Sequence, residues 1–358
     1  AAAGFLSAVG AISIKDGFVS GRIFSTLQYP NALAVYLAAL LCFGFYLWLT
    51  SSGWRSILFA SGNFIMTFVL IGTNSRGGFL VFPGMLFLYF LGISREQKIP
   101  WLGHVLLIAP VAILCAGKAV PAAAAENYGP AWTWFLMGML AIAAVHWLGA
   151  RIAPGLRSRF LGLSKKKVVA VAALCIVILA GTAVFLVNNS FDSSQVASNT
   201  GEPEQAWYFK VLPEYVAQRI ATINLETQSA QDRIYWTYEA LDLVKLNPVF
   251  GFGGGAWEAA YRQFQDYPYN STQVHNNFLQ IWTEVGTIGL VLYLAVWLSF
   301  LLACWRNFRS ASDEKDKLID LSLFVAAAGL GIHSFIDFDL TLSAVSILLW
   351  VCFGLSWG

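Results

Sequence analysis

The sequence predicts an all-α, polytopic integral membrane protein, and three observations carry that reading. Of its 358 residues, 58% are hydrophobic and only 12% are charged, whereas a soluble domain carries about 25% charged residues. Apolar runs long enough to span a membrane, about 20 residues each, recur along the chain. The Lys and Arg residues between those runs gather on alternate loops, as the positive-inside rule requires. The net charge of +2 gives no basis for a nucleic-acid partner, which would call for a basic stripe.

Nine full spans are expected, at roughly 31–50, 55–73, 77–93, 101–120, 131–149, 168–187, 280–304, 319–336 and 339–356. Residues 1–14 read as the tail of a further apolar segment, which makes the count nine to ten. The opening AAAGFLSAVG lacks a Met and a basic n-region and is not read as a signal peptide. The organisation is one membrane domain: an N-terminal bundle at 1–187, one large extracytoplasmic loop with short amphipathic helices at 188–275, and C-terminal membrane helices at 276–358. Cys42, Cys115, Cys175, Cys304 and Cys352 all fall in or beside apolar runs without metal-ligand spacing. They read as small apolar core residues.

Orientation follows from the short loops. Arg151, Arg157, Arg159, Lys165, Lys166 and Lys167 stand in the loop 150–167 with no acidic residue, so that loop is expected in the cytoplasm. Alternation then places Arg55, Arg95, Lys98, Arg306, Arg309, Lys315 and Lys317 inside as well, 13 of the 22 basic residues in all. The 188–275 stretch and the DFD turn at 337–339 fall outside. Within the long stretch, RIYWTYEALDLVKL at 233–246 puts Ile234, Ala240, Leu241 and Val244 roughly on one helical face, and Asn247-Pro248 ends it. GFGGG at 251–255 reads as a tight turn; without a Gly-Lys-Ser/Thr ending it is not a phosphate loop. A short helix at about 256–265 would set Glu258 and Arg262 four residues apart. Residues 188–206, rich in Ser, Asn, Gln and Glu, read as a loop.

Sidedness narrows the chemistry to Arg22, Arg76, Arg233 and His275. Arg76 in TNSRGG and Arg22 in GRIFSTLQYPN are each open to two readings: an interfacial arginine reaching headgroups, or an anion ligand whose fork matches phosphate oxygens. At Arg76 the second reading has Gly77 and Gly78 letting the backbone come close. Arg233, opening the amphipathic helix, is either a surface charge paired with Asp232 or another carboxylate, or a further ligand. His275 stands where the long stretch meets the seventh span. Asn276 and Asn277 follow it and suit a helix cap, and an imidazole with an unperturbed pKa near 6.5 suits general-base work. His104 and His146, inside spans, read as structural polar contacts. His333, near Asp337 and Asp339, reads as part of a bundle-stabilising network, although polar groups within membranes often mark function. The DFD triplet superficially resembles a metal–nucleotide-sugar motif, but such sugars are cytoplasmic and the turn is expected outside. Trp207, Tyr235, Trp236, Trp257, Tyr261, Tyr267 and Tyr269 suit both stacking on sugars and packing of the long stretch against itself.

In pattern and order these elements resemble the O-antigen ligase/polymerase superfamily. GRIFSTLQYPNALAVYL resembles its Arg-then-PN-x-x-A helix start, and TNSRGGFL its SRGG element. RIYWTYEALDLVKLNPVFGFGGG resembles its helix ending in P-x-x-G-x-G. VHNNFLQIWTEVGTIGLV resembles HN-x-x-L-x-x-x-x-E-x-G-x-x-G, and HSFIDFDL a late element. The resemblance covers most of the chain from residue 21.

The resemblance implies a multi-pass protein of the bacterial cytoplasmic membrane whose active site faces the extracytoplasmic side. It implies transfer of a glycan from undecaprenyl diphosphate to a hydroxyl on a lipid-linked, glycan or protein acceptor. His275 would be the base, Arg22, Arg76 and Arg233 would hold the diphosphate, and Asn276 and His333 would support them. Inversion at the anomeric carbon is expected, with no metal or other cofactor. Ligase, polysaccharide polymerase and protein O-oligosaccharyltransferase share this chemistry. A different class, a transporter of lipid-linked or anionic solutes, would show broken helices and a mid-membrane site, whereas the spans here read as unbroken.

Overall fold

The computed structural model describes residues 1–160, 207–223, 227–265 and 267–357. The sixth expected span, the 188–206 stretch, Lys165, Lys166, Lys167 and Cys175 lie outside the described residues. Those described are overwhelmingly helical: α1 (Ala2–Ala8), α2 (Pro30–Thr50), α3 (Trp54–Gly72), α4 (Arg76–Gly92), α5 (Arg95–Ala124), α6 (Tyr128–Phe160), α7 (Glu214–Ala221), α8 (Gln228–Leu246), α9 (Ala256–Ala260), α10 (Asn277–Ser310), α11 (Glu314–His333) and α12 (Ser343–Ser356). Two two-residue strands, β1 (Phe18–Val19) and β2 (Arg22–Ile23), pair antiparallel.

The chain is thus an all-α polytopic membrane protein, with corrections to its spans. Five helices are long and apolar enough to cross a membrane: α2, α3, α5, residues 128–149 of α6, and α10. The expected spans at 77–93 and 339–356 are the shorter apolar helices α4 and α12. The 3-10 turn Asp339–Thr341 takes up the first residues of the latter. α6 continues through Arg151 to Phe160 where the sequence reads as loop, since Ala, Leu and Arg are strong helix formers. α10, expected unbroken, is interrupted at Gly286 (φ 65°).

The described chain forms two compact units. The first comprises Ala1–Pro30, Gly44–Asn74 and Ile93–Ala221. Its core is aromatic: Phe5 stacks on Phe135 at 4.1 Å and meets Phe68 and Trp132 edge-on. His104 and His146 are structural contacts here, as expected. His146 Nδ1–H donates to the Ile142 carbonyl (2.9 Å), so its Nε2 accepts from His104 Nδ1–H (3.0 Å), and His104 Nε2 accepts from Asn63 Nδ2 (3.0 Å). The carbonyl at the end of this chain fixes both tautomers.

The second unit comprises Asn31–Phe43, Ser75–Gly92 and Thr222–Gly358. Here α4 packs on α11 through small residues. A Cβ on Gly92 would overlap Leu321, one on Gly329 would overlap Met85, and Tyr89 Oη lies 3.1 Å from Ser322 Oγ. Phe300 of α10 stacks on Phe353 of α12 at 4.5 Å. The four described cysteines, Cys42, Cys115, Cys304 and Cys352, are free and buried.

α8 starts five residues earlier than the sequence suggests, so Arg233 stands in its second turn. Its buried face is Glu239, Ala240, Leu243 and Val244, while Ile234 is exposed. Arg262 does not reach Glu258 as an ion pair; its Nε donates to Tyr261 Oη at 3.4 Å. After α8, the 248–253 turn fastens to the break in α10. Phe252 and Gly253 N–H donate to the Thr283 and Glu284 carbonyls (3.0 and 2.8 Å), and Thr287 N–H donates to the Pro248 carbonyl (2.8 Å). Both Gly251 (φ 69°) and Gly286 are left-handed, and a Cβ on either would overlap the opposing backbone. The two glycine motifs are therefore two halves of one backbone joint.

Candidate functional site

The second unit brings Arg76, Arg233 and His275 into one polar network at the ends of its helices. Arg76, first residue of α4, donates through Nη1 to the Thr222 carbonyl (3.1 Å) and through Nη2 to Ser229 Oγ. Ser229, in the first turn of α8, also receives Arg233, whose Nη1 donates to the Ser229 carbonyl (2.8 Å) and Oγ (3.4 Å). One serine thus sits beneath both guanidinium groups. Arg233 further donates through Nε to the Ile336 carbonyl (2.8 Å) and through Nη2 to Asp337 Oδ2 (3.3 Å). Its partner is not the adjacent Asp232, which accepts from Gln228 and Tyr267 instead.

Asp337 is the centre of the network. Its side chain is 2% exposed. Oδ2 also accepts from Asn31 Nδ2 (2.8 Å), and Oδ1 accepts from Phe338 N–H (2.9 Å) and faces His275 Nδ1 at 3.3 Å. That last contact lies outside hydrogen-bond geometry. Burial alone would raise the Asp337 carboxyl, but the contact with His275 and the positive charge of Arg233 outweigh it and hold it well below the usual carboxylate range.

His275 is clamped by rings and by backbone. Trp236 lies against the imidazole at 4.6 Å and Phe338 meets it edge-on at 4.7 Å. Its φ of 58° is left-handed, a conformation that costs about 1 kcal/mol or more for a residue with a Cβ. Neighbouring bonds hold it there. Val274 N–H donates to Gln280 Oε1 (3.1 Å), and Gln280 Nε2 donates to Glu284 Oε1 (2.6 Å). Asn276 caps α10 by accepting from the Phe278 and Leu279 N–H groups (3.0 and 3.1 Å), as expected. Asn277 N–H donates to the Ser334 carbonyl (2.8 Å).

The SRGG element works differently from the sequence expectation. Ser75 caps α4 by accepting from Gly78 N–H (3.2 Å), and its own hydroxyl donates to Asn31 Oδ1 (3.0 Å). A Cβ on Gly77 would overlap His333 Nε2, and one on Gly78 would overlap Ala34. Both glycines make room for protein side chains. His333, fully buried, holds Asp339 through Nδ1, which is the network expected of it.

Arg22 belongs to the first unit. There its Nε donates to the Thr73 carbonyl (2.8 Å) and its guanidinium lies over the Phe24 ring. Sequence reasoning missed Asp337, Asn31 and Ser229. The first two stand inside motifs that were singled out, DFD and YPN; for Ser229 the sequence carries no comparable signal. Among the described residues, no group of three or more His, Cys, Asp or Glu side chains is arranged to hold a metal.

Residues 131–294, which include Arg233, His275 and the Gly251–Gly286 joint, match the O-antigen ligase family. No curated protein matches the chain. The family match covers less than half of the chain; together with the helical membrane architecture it supports the O-antigen ligase superfamily, and with it an O-antigen ligase-type membrane enzyme.

Proposed function

We propose that the protein transfers a glycan from undecaprenyl diphosphate to an acceptor hydroxyl on the extracytoplasmic face of the bacterial cytoplasmic membrane. The observation that carries this reading is the single network joining His275 through Asp337 to Arg233, and through Ser229 to Arg76. It sets a base and two cations together at helix ends, where a membrane-anchored diphosphate would present its charge.

With Nδ1 turned to Asp337, a neutral imidazole holds its proton on that nitrogen and offers the Nε2 lone pair to the acceptor. As the acceptor oxygen bonds to the anomeric carbon, its proton passes to Nε2. The carbon–oxygen bond to the diphosphate breaks, and the bonding electrons leave with the diphosphate. Asp337 stabilises the imidazolium so formed, the role a carboxylate plays behind a catalytic histidine. Nucleophile and leaving group on opposite faces invert the anomeric centre. Arg76 uses two donors on protein acceptors, which leaves others of its five N–H groups for phosphate oxygens. Arg233 contributes its charge while its N–H groups hold Asp337.

The test is transfer in proteoliposomes, with release of undecaprenyl diphosphate measured against glycan donor and acceptor. His275→Ala should abolish transfer in an inserted, folded protein, and Arg76→Lys should be poorly active because a point charge cannot fork. Near-normal product from either variant would sink its assignment. Cysteines placed at positions 76 and 275 should react with impermeant reagents from the same side of the membrane; labelling from opposite sides would end the reading.

A further inference from the structure

The aromatic side chains between Tyr235 and His275 divide in the structure. Trp257 and Tyr261 are buried with Ala240, Leu243 and Val274 in a small core, on which Trp236 and Tyr269 lean. A second alignment runs outward from the imidazole. Ring centroids lie 4.6 Å apart from His275 to Trp236, 5.6 Å from Trp236 to Tyr269, 5.3 Å from Tyr269 to Tyr267 and 5.7 Å from Tyr267 to Tyr235. Trp236, Tyr269 and Tyr267 are half-buried, Tyr235 is exposed, and Tyr238 on the same face of α8 is 65% exposed. Polar groups edge the outer end: Asp232 Oδ1 accepts from Tyr267 Oη (2.6 Å) and Gln228 Nε2 (2.7 Å). Burial and this bond push the Tyr267 phenol up to about 12, so it stays a donor.

Core packing accounts for the inner pair of rings but not for the outer ones. Tyrosines on a solvent-facing surface, spaced by roughly one sugar ring and flanked by a carboxylate and an amide, have the chemistry of carbohydrate recognition. The apolar C–H face of a pyranose covers an aromatic ring while carboxylate and amide take the hydroxyls. A lipid-facing surface would not carry Asp232 and Gln228 along its edge. We propose that Trp236, Tyr269, Tyr267 and Tyr235 form a track that guides an oligosaccharide chain to His275, with Asp232 and Gln228 holding its hydroxyl groups. This rests on His275 as the base and identifies the substrate surface of that site. The chain on the track is a glycan, either the donor's or the acceptor's.

The experiment uses the full chain in nanodiscs. Binding is measured, without turnover, for oligosaccharides released by mild acid from the envelope polysaccharide of the cells that make the protein. Steady-state transfer is then run with donor and acceptor varied separately. Tyr235→Ala and Tyr267→Ala should each weaken oligosaccharide binding roughly five- to tenfold, while Tyr235→Phe, which keeps the ring, should bind as wild type does. A matching rise in KM for the acceptor alone assigns the track to the acceptor; a rise for the donor alone assigns it to the donor glycan. Wild-type protein that binds no oligosaccharide, or a Tyr235→Ala/Tyr267→Ala double variant that binds as wild type does, overturns the proposal. His275→Ala should bind the oligosaccharide normally. If that variant still transfers glycan, the base assignment fails while the track stands or falls on binding alone.

Discussion

Asp337 Oδ1 and His275 Nδ1 face each other at 3.3 Å with the carboxylate 2% exposed, so the charge state of one decides what the other can do. Replacing the carboxylate by its isosteric amide tests this. Asp337→Asn keeps the volume and a carbonyl for Asn31, but it removes the charge that would stabilise an imidazolium. Transfer should fall by about 10² or more, the direction and scale seen when the carboxylate behind a catalytic histidine is neutralised. Turnover of the purified, correctly melting variant measures it; retention of more than a third of wild-type turnover would show that the charge is dispensable.

Arg233 donates to four acceptors on three residues, and its loss leaves a buried carboxylate without its cation. Arg233→Ala should destabilise the protein by on the order of 3 kcal/mol. Arg233→Ala combined with Asp337→Ala should recover part of that stability without recovering activity. A thermal-melt double-mutant cycle in detergent reads the coupling. Additive effects would show that the pair at 3.3 Å carries no net interaction.

The joint between Gly251 and Gly286 is steric, and its test is a methyl group. Gly286→Ala puts a Cβ into the Val249 carbonyl at a left-handed φ of 65°, and should cost on the order of 3 kcal/mol. Gly254→Ala, three residues from the joint with open space around it, should be neutral within a few tenths. If both melt alike, the close backbone approach is not what holds the turn on α10.

How far the sequence reveals this site depends on how local each signal is. His275 is visible because a polar run meets an apolar span there and Asn276 offers a cap, all within a few residues. Asp337 is not, because its partners Asn31, Arg233 and His275 lie far off in sequence, and DFD read locally suggests a different chemistry. Arg233 has a carboxylate as its sequence neighbour, yet a helix points Asp232 and Arg233 about 100° apart, so the neighbour binds Tyr267 instead. Gly77 and Gly78 announce missing side chains but not which side needs the room; only packing shows that His333 and Ala34 fill it. The span slipped at α12 because apolar composition does not mark where a 3-10 turn delays the start of a helix.

Gly77→Ala follows from the same packing. The added methyl would meet His333 Nε2, and His333 is the side chain that holds the buried Asp339. The variant should melt lower by on the order of 2 kcal/mol and lose activity in proportion to folded protein. An anion-approach role would instead raise donor KM with the melt unchanged, so the two measurements together discriminate.

The depressed Asp337 carboxyl makes a stability prediction whose sign is fixed. An ordinary aspartate titrates near 3.8, and Asp337 in the folded protein titrates below that. Its charged contacts therefore stabilise the fold fully above about pH 5, where the unfolded chain is also ionised, and that contribution is lost as pH falls through 4 toward the folded value. Asn at position 337 cannot titrate. The difference in melting temperature between wild type and Asp337→Asn should shrink steadily from pH 4 to 2. Arg233→Ala should flatten that slope, because one of the charges that holds the carboxyl down is gone. A difference that does not change with pH across this range would mean that the Asp337 carboxyl binds protons equally well folded and unfolded, and a network built on its charge would have no basis.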